Sequence, residues 1–143
     1  MGVTIYANKA ERYLDMSYFG FMRLRKDLAT IVSEDFGNLY SKLYSTSVED
    51  KADELELKVL KSAEDAGVSE DMIDFFFASD TDGAATSKFC KEMLKFIDMA
   101  AKDGKVEMKK IYGYAGHKNP AKFSDFYNLL MECSMRRLKL RWR

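Results

Sequence analysis

The hydrophobic positions of this chain follow two different spacings. Val3 and Ile5 alternate with Thr4 and Tyr6, a two-residue period of β-prone residues that predicts a strand over 2–7. The polar stretch from Asn8 to Glu11 turns the chain, and residues 12–16 return as a second strand of a hairpin. Ser17 is a helix N-cap by residue type. After it, Phe21, Leu24, Leu28, Ile31, Val32, Phe36, Leu39 and Leu43 recur at three- and four-residue steps. They predict one apolar stripe on a helix over 18–45, bent or divided near Gly37. Ser47 with Asp50 resembles a capping box. Val48, Ala52, Leu55, Val59 and Ala63 mark the next helix face, with Gly67 just past its end.

Ser69 caps a shorter helix over 70–79 that carries Met72, Ile73 and the Phe75-Phe76-Phe77 run. Three consecutive phenylalanines cannot share one helix face, so this helix meets more than one neighbour or leaves part exposed. Ser79 to Gly83 is a turn by composition. Thr86 or Ser87 caps a helix over 87–102, whose inner face is Phe89, Cys90, Met93, Leu94, Ile97 and Ala101. Residues 109–115, with Ile111, Tyr112 and Tyr114, predict an interior strand. Pro120 opens a helix to about 136, and residues 138–142 alternate as a one-sided strand. Strands at both ends and near Tyr112 can be buried together only as one sheet. The expected fold class is therefore α+β within one domain, 1–143. It is mainly helical, with a small antiparallel or mixed sheet (strands near 2–7, 12–16, 109–115 and 138–142) packed by four to five helices.

Composition narrows the class further. The chain is 47% hydrophobic and 32% charged, with a net charge of zero, which suits a folded domain rather than a disordered tail. The neutral total hides a segregation: residues 47–82 carry 12 acidic and 3 basic side chains, and residues 83–143 carry 14 basic and 6 acidic. Either the two regions face each other, or the surface has an acidic and a basic side. No stretch reads as a secretory signal or a membrane span, so the expected location is cytoplasmic. Cys90 and Cys133 match neither a CxxC motif nor a zinc spacing. Both fall on apolar helix faces, which reads as two buried thiols, with a disulfide as the lesser alternative.

Candidate chemistry is sparse. Asp80-x-Asp82-Gly83 has the look of a calcium loop, but that register puts Ala78 and Phe89 at ligand positions, so a helix-to-helix turn is the simpler reading. The same segment, Ser79-Asp80-x-Asp82-Gly83 with Cys90 seven positions on, resembles a family of small proteins from Gram-positive bacteria and their phages. Those commonly read Ser-Asp-Cys-Asp-Gly followed by a Cys. The opening Met-Gly-Val-Thr-Ile-Tyr, Gly20-Phe21-x-x-Leu24-Arg25, Tyr112-Gly113-Tyr114-Ala115-Gly116 and the Leu140-Arg141-Trp142 close extend the resemblance. Thr81 stands where that pattern often has Cys, which weakens a redox or metal role. The resemblance implies an architecture and no reaction.

His117, the single histidine, sits in a loop after the expected strand, without an evident ligand set or orienting partner. Arg23, Arg25, Asp15, Tyr112 and Tyr114 could form a polar pocket at one end of the sheet, although arginine stems laid over aromatic rings explain them as well. Arg136, Arg137, Lys139, Arg141 and Arg143 put five cations into eight residues. On a strand, Lys139, Arg141 and Arg143 share one face. They can bind phosphates, meet an acidic protein, protect a sheet edge, or pair with the acidic helix near 49–65. No catalytic set, metal site or cofactor motif emerges. The leading expectation is a non-enzymatic protein-binding or regulatory protein of bacterial or phage origin, with another protein as partner. One alternative is a small enzyme or ligand-binding protein using Asp80, Asp82, His117 or the Arg23/Arg25 region. Another is nucleic-acid binding through the basic C-terminal strand, against which the neutral total charge argues.

Overall fold

A computed structural model describes residues 2–9, 12–45, 49–79, 81–104 and 121–143. In chain order the elements are β1 (Gly2–Ala7), β2 (Tyr13–Ser17), α1 (Tyr18–Val32), α2 (Glu34–Ser45), α3 (Glu49–Asp65), α4 (Glu70–Phe77), β3 (Gly83–Ala85), α5 (Ser87–Lys102), α6 (Ala121–Arg136) and β4 (Leu140–Trp142). The four strands form one open sheet in the order β2-β1-β4-β3. Each neighbouring pair is antiparallel. Alternate strand residues Val3, Ile5, Ala7, Leu14, Met16, Leu140 and Trp142 are buried. α1 and α6 pack against the sheet and α5 packs against both, while α2 lies on α1 and α3 on α2.

The expected fold needs correction on two counts. The described residues are mostly helical and form six helices, rather than four to five, because the stripe over 18–45 is two helices. The break falls at Ser33, not Gly37. Ser33 is fully extended, and its hydroxyl accepts a hydrogen bond from the Phe36 amide (3.3 Å), so the residue that ends α1 also starts α2. The outer strand beside β4 is Gly83–Ala85, which starts at the last residue of the Ser79–Gly83 turn and for which the sequence predicts no strand. Residues 109–115 lie outside the described residues, as does the Ser47 end of the proposed capping box. A three-residue strand of small side chains carries too little periodicity to announce itself.

Local sequence accounts for the remaining boundaries. The hydroxyls of Ser17, Ser69 and Thr86 accept from the amides of Gly20, Met72 and Phe89, which caps α1, α4 and α5. Gly67, at φ +75°, ends α3, and the Val68 amide returns to the Ala63 carbonyl. Arg137 takes the same left-handed turn after α6 at φ 54°, directing the chain into β4. The three phenylalanines of α4 divide their contacts. Phe75 meets Phe21, Phe89 and Trp142, Phe76 meets Phe36 and Tyr40, and Phe77 lies edge-on to Tyr40.

Two glycines allow close approaches that a side chain would block. A methyl group on Gly37 would lie 2.6 Å from the Thr30 Cα, where α2 crosses α1. A methyl group on Gly83 would lie 2.6 Å from Cε2 of Trp142. Gly37→Ala and Gly83→Ala are each expected to lower the unfolding free energy by about 1–3 kcal/mol through overpacking. Urea midpoints measure this, and a midpoint unchanged from wild type in both variants would contradict these close approaches.

Candidate functional site

The only charged side chain in the described core is Arg25, which is 1% exposed. It reaches from α1 to the C-terminal end of α4, where helix carbonyls have no further amide to accept from. Nη1 donates to the carbonyls of Ala78 (2.9 Å) and Phe76 (3.4 Å), and Nη2 donates to those of Ala78 (2.9 Å) and Ser79 (3.0 Å). Its guanidinium lies 4.6 Å from the Phe21 ring centre and 5.8 Å from that of Trp142. The Trp142 indole N–H also donates to the Ser79 carbonyl (2.9 Å), and the Tyr40 hydroxyl to that of Phe76 (2.6 Å). Burial and the neighbouring Tyr44 push the Tyr40 phenol far above its ordinary range, so it stays a donor. Arg25 is thus a structural clamp that fixes the segment leading into β3.

Arg23 is exposed while Arg25 is buried, so the two do not meet in one pocket. Asp15, the third member of that expected pocket, accepts from the Thr4 hydroxyl (2.6 Å) on the sheet. Asp82 is exposed just before β3, so its segment leads from a helix into a strand rather than from helix to helix. Asp80, Tyr112, Tyr114 and His117 lie outside the described residues. Among the described residues, no group of three or more His, Cys, Asp or Glu could hold a metal ion. No described helix is long and apolar enough to cross a membrane.

Cys90 and Cys133 are free, fully buried and side by side between α5 and α6. A hydrogen bond with Cys133, together with burial, pushes the Cys90 thiol far above its ordinary range, which removes it as a nucleophile.

The basic tail is placed quite differently. Tyr6 pairs with Tyr13 on one side and with Arg141 on the other, and Ala84 pairs with Arg141. These four residues make one row across the sheet. Thr4 faces Asp15 and exchanges backbone hydrogen bonds with Arg143 (2.9 and 3.1 Å), which makes a second row. Lys139 bonds to Asn8 through its carbonyl and begins a third. Since the alternate positions face the core, Thr4, Tyr6, Tyr13, Asp15, Lys139, Arg141 and Arg143 share the outer face. Tyr13 is 65% exposed, and the Arg143 guanidinium sits 5.1 Å from the Tyr6 ring centre.

A second basic feature lies at the hairpin end of the sheet, on the side where α6 packs. Lys9, Arg12, Asn128, Met131, Glu132, Met135 and Arg136 line an open groove of about 740 Å³ between the hairpin and α6. Glu132 lies 2.9 Å from Arg136 and 3.9 Å from Arg12. Such exposed pairs hold geometry more than they add stability. Arg137 is exposed beside the groove. The acidic α3 packs on α2, while β4 packs on β1, β3 and α6, so the tail runs beside the hairpin rather than along α3. Sequence reading missed Tyr6, Lys9, Arg12, Tyr13, Met131 and Met135. The alternation of β1 and β2 contained the signal for the two tyrosines, but only the register with β4 brings them beside the cations.

Arg25→Ala is expected to cost about 2–4 kcal/mol, because it removes donors from the Phe76, Ala78 and Ser79 carbonyls and leaves a hole among the rings around them. Arg25→Lys should restore only part of this, since an ammonium lacks the planar fork. Denaturation followed by fluorescence of Trp142, the only tryptophan, reads both; wild-type stability in Arg25→Ala would remove the clamp. Both cysteines should resist iodoacetamide at about pH 8 in the native chain and react on unfolding, and mass spectrometry showing native-state labelling at Cys90 would contradict its burial. No protein-family model, curated protein or solved structure matches this chain.

Proposed function

We propose that this chain is a non-enzymatic binding protein that recognises an anionic macromolecule through the basic surface formed by its sheet and hairpin. One observation carries the reading. Six cations from the two ends of the sequence are brought to the same part of the fold: the β1–β4 pairing sets Lys139, Arg141 and Arg143 on the face that carries Tyr6 and the exposed Tyr13, and Lys9, Arg12 and Arg136 line a groove with the exposed Met131 and Met135. Cations supply attraction and steering, while exposed aromatic and methionine side chains supply adaptable contact area. The bacterial or phage origin in this reading rests on the sequence resemblance.

The pocket alternative draws on Arg23 and Arg25, and it receives less support because Arg25 is committed to backbone carbonyls. The acidic stretch on α3 supports a surface with two sides of opposite charge, so zero net charge does not weaken local attraction beyond a Debye length of about 8 Å.

The wild-type chain is expected to be retained on immobilised heparin and released by salt. Arg136→Glu combined with Arg143→Glu should elute at clearly lower salt, and Lys61→Glu on α3 should elute with wild type. Each lost contact lowers the logarithmic salt slope by about 1. Circular dichroism melts confirm that the variants fold. Failure of the wild type to bind, or identical elution of all three proteins, would refute the reading.

A further inference from the structure

The outer face of the sheet has a more specific chemistry than positive charge. Lys139, Arg141 and Arg143 occupy alternate positions of the strand and its flanks, spaced about 6.8 Å apart along it. Beside this line of cations, across the hydrogen-bonded register, lie the rings of Tyr6 and Tyr13. Asp15, the carboxylate described on this face, accepts a hydrogen bond from Thr4. Arg141 is half-buried, and its Nε is covered and has no hydrogen-bond partner among the described residues, so only the outer part of its guanidinium can meet a ligand.

We infer that this face is a platform for single-stranded nucleic acid, with phosphates along Lys139, Arg141 and Arg143 and bases stacked on Tyr6 and Tyr13. The inference rests on the proposed anion-binding function and names its ligand. An acidic polypeptide would match the cations equally well, but the residues that carry its charge bring no aromatic ring to stack on the two tyrosines. Every nucleobase has such a plane, and pairing stacking rings with a basic track is the general chemistry of single-strand binding. A duplex keeps its bases stacked on one another, and a broad sheet face does not enter its grooves as a helix or two-stranded ribbon does. Arg143 lies over one face of Tyr6, so a base there stacks on the guanidinium–tyrosine pair, while Tyr13 offers an open ring.

Fluorescence anisotropy with a labelled oligothymidylate of about twelve nucleotides tests this. The wild type should bind, and Tyr13→Ala should weaken binding roughly 5- to 150-fold, the range for one lost stacked base. Tyr13→Phe should bind as wild type, because stacking does not need the hydroxyl. Heparin retention of Tyr13→Ala should be unchanged, since no cation is lost. A wild type that fails to bind the oligonucleotide, a Tyr13→Ala that binds it as wild type does, or polyglutamate or duplex DNA competing as well as the single strand would each overturn the inference. In any of these cases, continued heparin retention would leave the broader anion-binding reading standing. Loss of heparin retention in the wild type would end both.

Discussion

The guanidinium of Arg25 governs the placement of much of the molecule. Removing this cation from water costs several kcal/mol. It is stabilised by carbonyls at the negative end of α4 and by ring faces on α1, α4 and β4. Because the same carbonyls also accept from Trp142 and Tyr40, one cluster fixes α1, α2, α4 and β4 relative to one another. β3 begins just past those carbonyls, so its position beside β4, and with it the full width of the sheet, follows from where Arg25 holds the end of α4.

The fold also separates two kinds of surface. α2 and α3 stack outward from α1 and carry much of the acidic charge away from the sheet. β4 brings the basic tail to the middle of the sheet, next to the strand on which Tyr6 sits. A chain with no net charge thus presents a strongly basic side without repelling itself as a whole.

Much of this was legible in the sequence, wherever the signal was local. The alternation at Val3 and Ile5 marks β1, the hydroxyls of Ser17, Ser69 and Thr86 mark helix starts, and Gly67 marks a helix end. The Phe75-Phe76-Phe77 run signals several neighbours, because three consecutive helix positions cannot share one face. What escaped was long-range or weak. Ser33 broke a continuous apolar stripe because its hydroxyl can cap a second helix, a choice that periodicity does not register. Gly83–Ala85 has side chains too small to show a pattern, and its pairing with β4 spans most of the second half of the chain. Arg25 resembled a pocket residue because an isolated cation beside an apolar stripe looks the same whether it faces water or a helix end. The tyrosine row required the strand register, which hydrophobic pattern alone does not supply.

The pairing of β1 with β4 joins residues near the start of the sequence to residues near its close. Contacts that far apart along a chain are slow to form, since the loop entropy must be overcome before they stabilise anything. During synthesis, the hairpin and early helices emerge long before their central strand exists, leaving the hydrogen-bonding edge of β1 open until Trp142 appears. Pairing of β1 with β4 therefore comes late in synthesis, and a nascent chain stalled short of β4 would expose that edge to chaperones or to other β-prone chains.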